Sequence, residues 1–111
     1  MAEFQRAAGV LVVRLKEPRL DAVRALALKE ALTRNVVDRP QRVLIDLSNV
    51  DFIDSTGLGV LVYLLKLMGE GGRVVVTGAK PVVRRLFEVT KLDTVFLLFD
   101  DEATGTLKLF A

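Results

Sequence analysis

The chain has 111 residues, of which 51% are hydrophobic and 27% charged, and a formal net charge of +2. That length suits one modest domain (residues 1–111) and is too short for two, and the apolar share supports a core without covalent staples. There is no cysteine or histidine, which excludes disulfides, thiol chemistry, the commonest general base and the commonest metal ligand.

In chain order, Glu3–Gln5 and Val10–Leu15 read as two short strands with Ala7-Ala8-Gly9 turning between them, a hairpin. Lys16–Arg19 is an expected loop containing Pro18. Leu20-Asp21 opens a helix with Asp21 as its cap. The helix runs to about Val36, with Ala25, Leu28, Leu32 and Val36 on one apolar face and Arg24, Lys29 and Arg34 toward water. Asp38-Arg39-Pro40 ends it.

Val43, Leu44, Ile45 and Leu47, interrupted only by Asp46, form a run that reads as a strand buried on both faces, as in a parallel sheet. Ser48, Asn49 and Asp51 are turn residues, and Phe52 and Ile53 are expected to re-enter the core. Asp54, Ser55 and Thr56 are three successive residues of the kind that caps a helix. From Leu58 to Met68 the chain is almost wholly apolar. Leu58, Leu61, Leu65 and Met68 fall on one helical face and Val60, Leu64 and Leu67 on another, so one sheet can cover only part of it.

Gly69-Glu70-Gly71-Gly72 is a stop and turn. Arg73–Thr77 is a second buried strand, and Pro81 is a suitable first residue for a short helix carrying Val82, Leu86 and Val89. Val95–Phe99 is a final strand. Asp100-Asp101-Glu102 places acid at the start of a last helix, although Thr104-Gly105-Thr106 is poor helix material. The order β-β-α-β-α-β-α-β-α implies an α/β fold. Its four- to five-stranded sheet is mainly parallel, with right-handed crossovers, an N-terminal β-hairpin at one edge and about four helices.

Ser55 therefore falls at a helix start beyond a strand, where open α/β sheets place working residues. Caps are the ordinary role of such residues, but one cap suffices and three candidates stand together. Gly57 and Gly59 leave the first turn bare, with room for something large to approach the hydroxyl.

Asp54-Ser55-Thr56-Gly57-Leu58-Gly59, following such a strand, resembles the signature of the STAS domain in the form carried by bacterial anti-sigma factor antagonists. Leu20-Asp21, the Val43–Asp51 strand and turn, Gly71-Gly72 and Pro81–Thr90 fall in the family's order, so the resemblance covers nearly the whole chain. It implies a STAS fold and phosphorylation of Ser55 by a partner kinase. It also implies a partner-binding surface of Leu20, Asp21, Asp54, Ser55, Thr56, Gly57 and Leu58, continuing onto the exposed side of the following helix. The implied partners are an anti-sigma factor that is itself the serine kinase and a serine phosphatase that resets the system. Two departures stand out. Lys16-Glu17-Pro18-Arg19 occupies the place where family members often carry glycine, and Lys91 stands where they commonly have a helix-stopping glycine.

Rival chemistries find little support. Without histidine the usual hydrolase triad is impossible, and Ser55 lacks a G-x-S-x-G setting. Gly57-Leu58-Gly59 fails the dinucleotide pattern at Val62, and there is no Walker lysine. Asp46, Asp51 and Asp54 fit no metal cage. No catalytic residue, cofactor or metal is expected. Basic residues are scattered apart from Arg84-Arg85 and the Arg39–Arg42 neighbourhood, and none is interleaved with aromatics, so direct nucleic-acid binding is not expected. The longest apolar run, Val60–Leu65, is far short of a membrane span, and Met1–Gln5 leads into charged residues unlike a signal peptide. A cytoplasmic protein, monomer or weak homodimer, is the expectation. The alternative reading is a STAS interaction subunit of a transporter or lipid-transport ABC complex, with no serine switch.

Overall fold

The structure, a computed structural model, describes residues 2–38 and 40–111. Met1, and Arg39 within the expected Asp38–Pro40 helix stop, lie outside the described residues. The strands are β1 (Ala2–Ala7), β2 (Val10–Leu15), β3 (Arg19–Leu20), β4 (Arg42–Asp46), β5 (Phe52–Ile53), β6 (Arg73–Thr77) and β7 (Phe96–Phe99). The helices are α1 (Ala22–Asn35), α2 (Ser55–Met68), α3 (Pro81–Val89) and α4 (Glu102–Leu109), with a 3-10 turn at Leu92–Thr94.

Five strands form a mixed sheet in the order β1-β2-β4-β6-β7, antiparallel between β1 and β2 and parallel elsewhere. The hairpin turn is tighter than expected, because Ala7 pairs with Val10 and only Ala8 and Gly9 lie between them. Both have positive φ, 52° and 81°, the twist that a two-residue hairpin requires. Strand β3 lies where the end of a loop (Arg19) and the opening of a helix (Leu20) were expected. With β5 it makes a two-residue parallel ladder, Arg19 opposite Phe52 and Leu20 opposite Ile53. Such short strands carry no readable periodicity.

Alternation along the strands sorts the sheet into two faces. Leu11, Val13, Val43, Ile45, Val74, Val76 and Phe96 meet helix residues including Leu28, Leu32, Leu61, Leu64, Val83 and Phe87 in the main core. Phe87 and Phe96 meet edge to face at 5.6 Å, a favoured aromatic geometry. Val10, Leu44 and Val75 point the other way, onto Leu109 of α4. Helix α2 is covered more completely than its all-round apolar sequence required: Leu58, Val60, Leu61, Leu64 and Met68 are buried, and Val62, Leu65 and Leu67 are half-buried.

Helix α4 is short and is held at both ends. Arg14 on β2 donates to Asp46 on β4 at 2.9 Å and pairs with Glu102 in the first turn of α4. At the other end Arg42 Nε donates to the Leu109 carbonyl at 3.1 Å, and its guanidinium lies 4.2 Å from the Phe110 ring centre. Arg73 donates to the carbonyls of Lys108 at 3.2 Å and Ala111 at 2.6 Å. Gly105 lets the middle of α4 sit on the sheet, since a Cβ there would be 2.8 Å from Thr77 Cγ2. Packing thus overrides the weak helix propensity of Thr104-Gly105-Thr106.

Two local defects generate stability predictions. Thr77 is 1% exposed and its hydroxyl has no hydrogen-bond partner among the described residues. An unsatisfied buried hydroxyl costs about 1–3 kcal/mol. Thr77→Val is expected to raise stability by about 1 kcal/mol, read as a higher denaturant midpoint at unchanged slope. Lys91 follows α3 at φ 62°, the left-handed conformation that glycine adopts freely. Lys91→Gly is expected to add about 1 kcal/mol; an unchanged thermal midpoint would contradict the strain.

Candidate functional site

The N-termini of α1 and α2 meet at the small β3–β5 ladder. The Pro18 carbonyl accepts from the amides of Asp51 (2.7 Å) and Phe52 (3.2 Å), and the Leu20 carbonyl accepts from Asp54 (3.2 Å). Each segment therefore places the other's next helix. Lys80, at the start of α3, pairs with Asp51 and ties the turn before β5 to that helix.

Asp54 is the cap of α2. One carboxylate oxygen accepts from the Gly57 amide at 2.8 Å, and the other accepts from the Ala22 amide, the first of α1, at 3.2 Å. One side chain thus satisfies orphan donors on two helices, where unpaired N–H groups and the helix dipoles favour an anion. Asp21 caps α1 by accepting from the Arg24 amide at 3.3 Å. It also receives the guanidinium of Arg24 at 3.2 Å and Arg19 Nε at 3.4 Å. Desolvation pushes its pKa upward, but the hydrogen bonds from Arg24 and Arg19 outweigh it and hold the carboxyl below its ordinary value.

With Asp54 serving as cap, Ser55 and Thr56 are exposed, and their hydroxyls have no hydrogen-bond partner among the described residues. The other expected surface residues divide. Asp21 and Asp54 are half-buried, while Leu20, Gly57 and Leu58 are buried. The two glycines of the bare first turn have different causes. A Cβ on Gly57 would lie 2.3 Å from the Leu20 carbonyl oxygen and 2.7 Å from Leu20 Cγ. Gly57 is therefore small because β3 presses on α2. Gly59 has nothing within 4 Å of such a Cβ, and it borders an open groove between α1 and α2 lined also by Leu26, Lys29, Thr56 and Tyr63.

Phe52 departs from expectation. It is 40% exposed rather than in the core. The β5 register gives the inward direction to Ile53, so Phe52 points out, where the Arg19 guanidinium stacks over its ring at 4.3 Å from the centre. Neither residue of this pair was among the expected surface residues: Phe52 was assigned to the core and Arg19 to a loop. The alternation within Phe52-Ile53-Asp54 could have indicated the outward Phe52; nothing in the sequence indicated the partner strand.

The sequence model of the STAS domain matches residues 1–105. The chain belongs to the STAS domain family. Among curated relatives, an anti-sigma F factor antagonist of Paenibacillus polymyxa is 31% identical over 112 residues, covering 96% of this chain and 92% of that protein. An anti-sigma-F factor antagonist of Mycobacterium tuberculosis is 36% identical over 89 residues, covering 78% of this chain and 73% of its own. The crystal structure of an anti-sigma factor antagonist from Mycobacterium paratuberculosis superposes with a TM-score of 0.90 at 30% identity, covering 100% of this chain and 94% of that one. The five-stranded mixed sheet with its antiparallel N-terminal hairpin and four helices is the STAS fold. Among the described residues no helix of this STAS domain is long and apolar enough to cross a membrane.

The contrast between the two glycines is testable. Gly57→Ala is expected to destabilise the domain by about 2–3 kcal/mol through overpacking, whereas Gly59→Ala should stabilise α2 by up to about 1 kcal/mol. Chemical denaturation of both variants checks the pair; equal effects would contradict the packing.

Proposed function

We propose that this STAS domain is an anti-sigma factor antagonist switched by phosphorylation of Ser55. The observation that carries the reading is an exposed, unpartnered seryl hydroxyl at the first position of α2, beside an aspartate that has already taken the capping role. The similarity to named anti-sigma factor antagonists along most of the chain supports it.

In the unmodified state the protein binds an anti-sigma factor through Asp21, Asp54, Ser55 and Thr56 and the exposed side of α2. Leu20, Gly57 and Leu58 shape that surface from beneath. The sigma factor is thereby released. The anti-sigma factor is also the kinase: Ser55 Oγ attacks the γ-phosphorus of its ATP, ADP leaves, and the hydroxyl proton passes to a base of the kinase. A serine phosphatase hydrolyses the phosphoserine and resets the system.

The phosphate adds about −1.5 to −2 charge and three acceptor oxygens. Helix N-termini accommodate anions, and two first-turn amides of α2 remain outside the hydrogen bonds of Asp54, so the domain keeps its shape. The bound partner, however, meets added bulk and a second negative group beside Asp54. Like charges at an interface cost several kcal/mol, and each ~1.4 kcal/mol is a tenfold change in affinity. The switch acts on the surface, without refolding.

Native-lysate capture with wild type and Ser55→Asp as baits, followed by identification and titration of the captured protein, tests the reading. Wild type should capture a small ATP-binding anti-sigma factor, and Ser55→Asp should bind it at least about 100-fold more weakly. Equal binding by both baits would overturn the switch. Capture of the same transporter subunits by both would make this STAS domain an assembly module.

A further inference from the structure

We infer that Arg19 and Phe52 form the affinity anchor of the Ser55 surface, and that the partner meets them with a carboxylate side chain set against an apolar one. This inference rests on the function proposed above and names the chemistry of that same interface.

The β3–β5 ladder gives two outward positions, Arg19 and Phe52, directly opposite each other, while Leu20 and Ile53 turn into the core. An outward strand position has no folding requirement for a large aromatic, yet Phe52 stands there 40% exposed. The Arg19 guanidinium stacks on it at 4.3 Å. The backbone beneath the stack is held in place. Pro18 O binds the Asp51 and Phe52 amides, Leu20 O binds the Asp54 amide, and the Asp54 carboxylate reaches the Ala22 amide. The main chain that carries both residues therefore needs no ordering on binding, and aromatic and arginine side chains dominate interface energetics.

Charge specifies the occupant. Arg19 makes one long contact, Nε to Asp21 at 3.4 Å, and Asp21 is occupied more closely by Arg24. The terminal nitrogens of Arg19 have no hydrogen-bond partner among the described residues, so its fork is open to a bidentate carboxylate. The ring of Phe52 covers one face of the guanidinium, so the approach is made in the plane of the fork and over the ring. A partner side chain bearing a carboxylate, flanked by an apolar residue on Phe52, fits both.

The same arrangement explains why phosphorylation would be effective here. Ser55 follows Asp54, which is hydrogen-bonded to Leu20, the neighbour of Arg19. Arg19 and the hydroxyl that receives the phosphate thus flank the same β3–β5 ladder, so a partner carboxylate at Arg19 and the phosphate share one surface. The new anion repels that carboxylate and competes for Arg19 at once.

The test uses the full chain and the anti-sigma factor identified with the Ser55 baits. Binding is titrated calorimetrically for wild type, Arg19→Gln, Arg19→Lys, Phe52→Ala and the Arg19→Gln/Phe52→Ala double variant. Each of Arg19→Gln and Phe52→Ala should weaken binding roughly tenfold or more with an unchanged thermal midpoint. The double variant should lose less than the product of the two, because the residues act as a unit. Arg19→Lys should recover only part of the affinity, since an ammonium lacks the fork. The salt dependence of binding should shrink in Arg19→Gln. If both single variants bind like wild type while Ser55→Asp does not, the anchor is overturned and the proposed function stands. If Ser55→Asp binds like wild type, the proposed function fails, and losses at Arg19 and Phe52 would then mark a constitutive interface.

Discussion

The organisation of this end of the molecule depends on one carboxylate. Asp54 accepts from an amide of α2 with one oxygen and from an amide of α1 with the other. The two helices come from segments more than thirty residues apart, yet their starts share a single anion. The Gly57 amide belongs to a buried residue, where an unpaired N–H is costly, whereas Ala22 is exposed and its bond to Asp54 is a tie between the helix starts. The aspartate thus ties the two helix starts together beside the ladder of β3 and β5 and the close contact of Gly57 with Leu20. Because Asp54 takes the capping role, the adjacent serine is left without a structural one. The division of labour between neighbouring residues makes the hydroxyl available.

Much of this was legible in the sequence where periodicity is long. The helices α1 and α2, the buried strands around Val43–Leu47 and Arg73–Thr77, and the N-terminal hairpin all carry patterns of several repeats. The capping cluster at Asp54-Ser55-Thr56 marked the start of α2, and Lys91 adopts the positive φ that its place after α3 demanded. What was not legible depends on contacts between distant segments. The two-residue strand β3 exists only because β5 lies beside it, and the sequence pattern assigned Arg19 to a loop and Leu20 to a helix start. Phe52 was placed in the core on hydrophobicity alone. Its neighbour Ile53 takes that place, and strict alternation turns Phe52 outward onto Arg19.

The same limit applies to the glycines. Gly57 and Gly59 look alike in the sequence, two small residues leaving a first turn bare. In the fold one is filled by the backbone of β3 and the other opens on a groove. Sequence could say that the turn was small; only the packing says which half of that smallness faces outward. Gly105 is a third case, in which a residue unfavourable to helix is required so that α4 can approach Thr77.

Helix α4 has eight residues, too few to persist in water by itself. It is retained by Arg14 at its beginning, by Arg42 and Arg73 at its end, and by Leu109 over Val10, Leu44 and Val75. Its amides should therefore exchange with solvent together, at the rate at which the helix undocks, rather than fray one turn at a time. Each undocking bares apolar residues on the outer face of the central strands while the rest of the fold stays intact. A chain shortened by those few residues would carry a permanent sticky sheet face, and self-association rather than unfolding would be its failure mode.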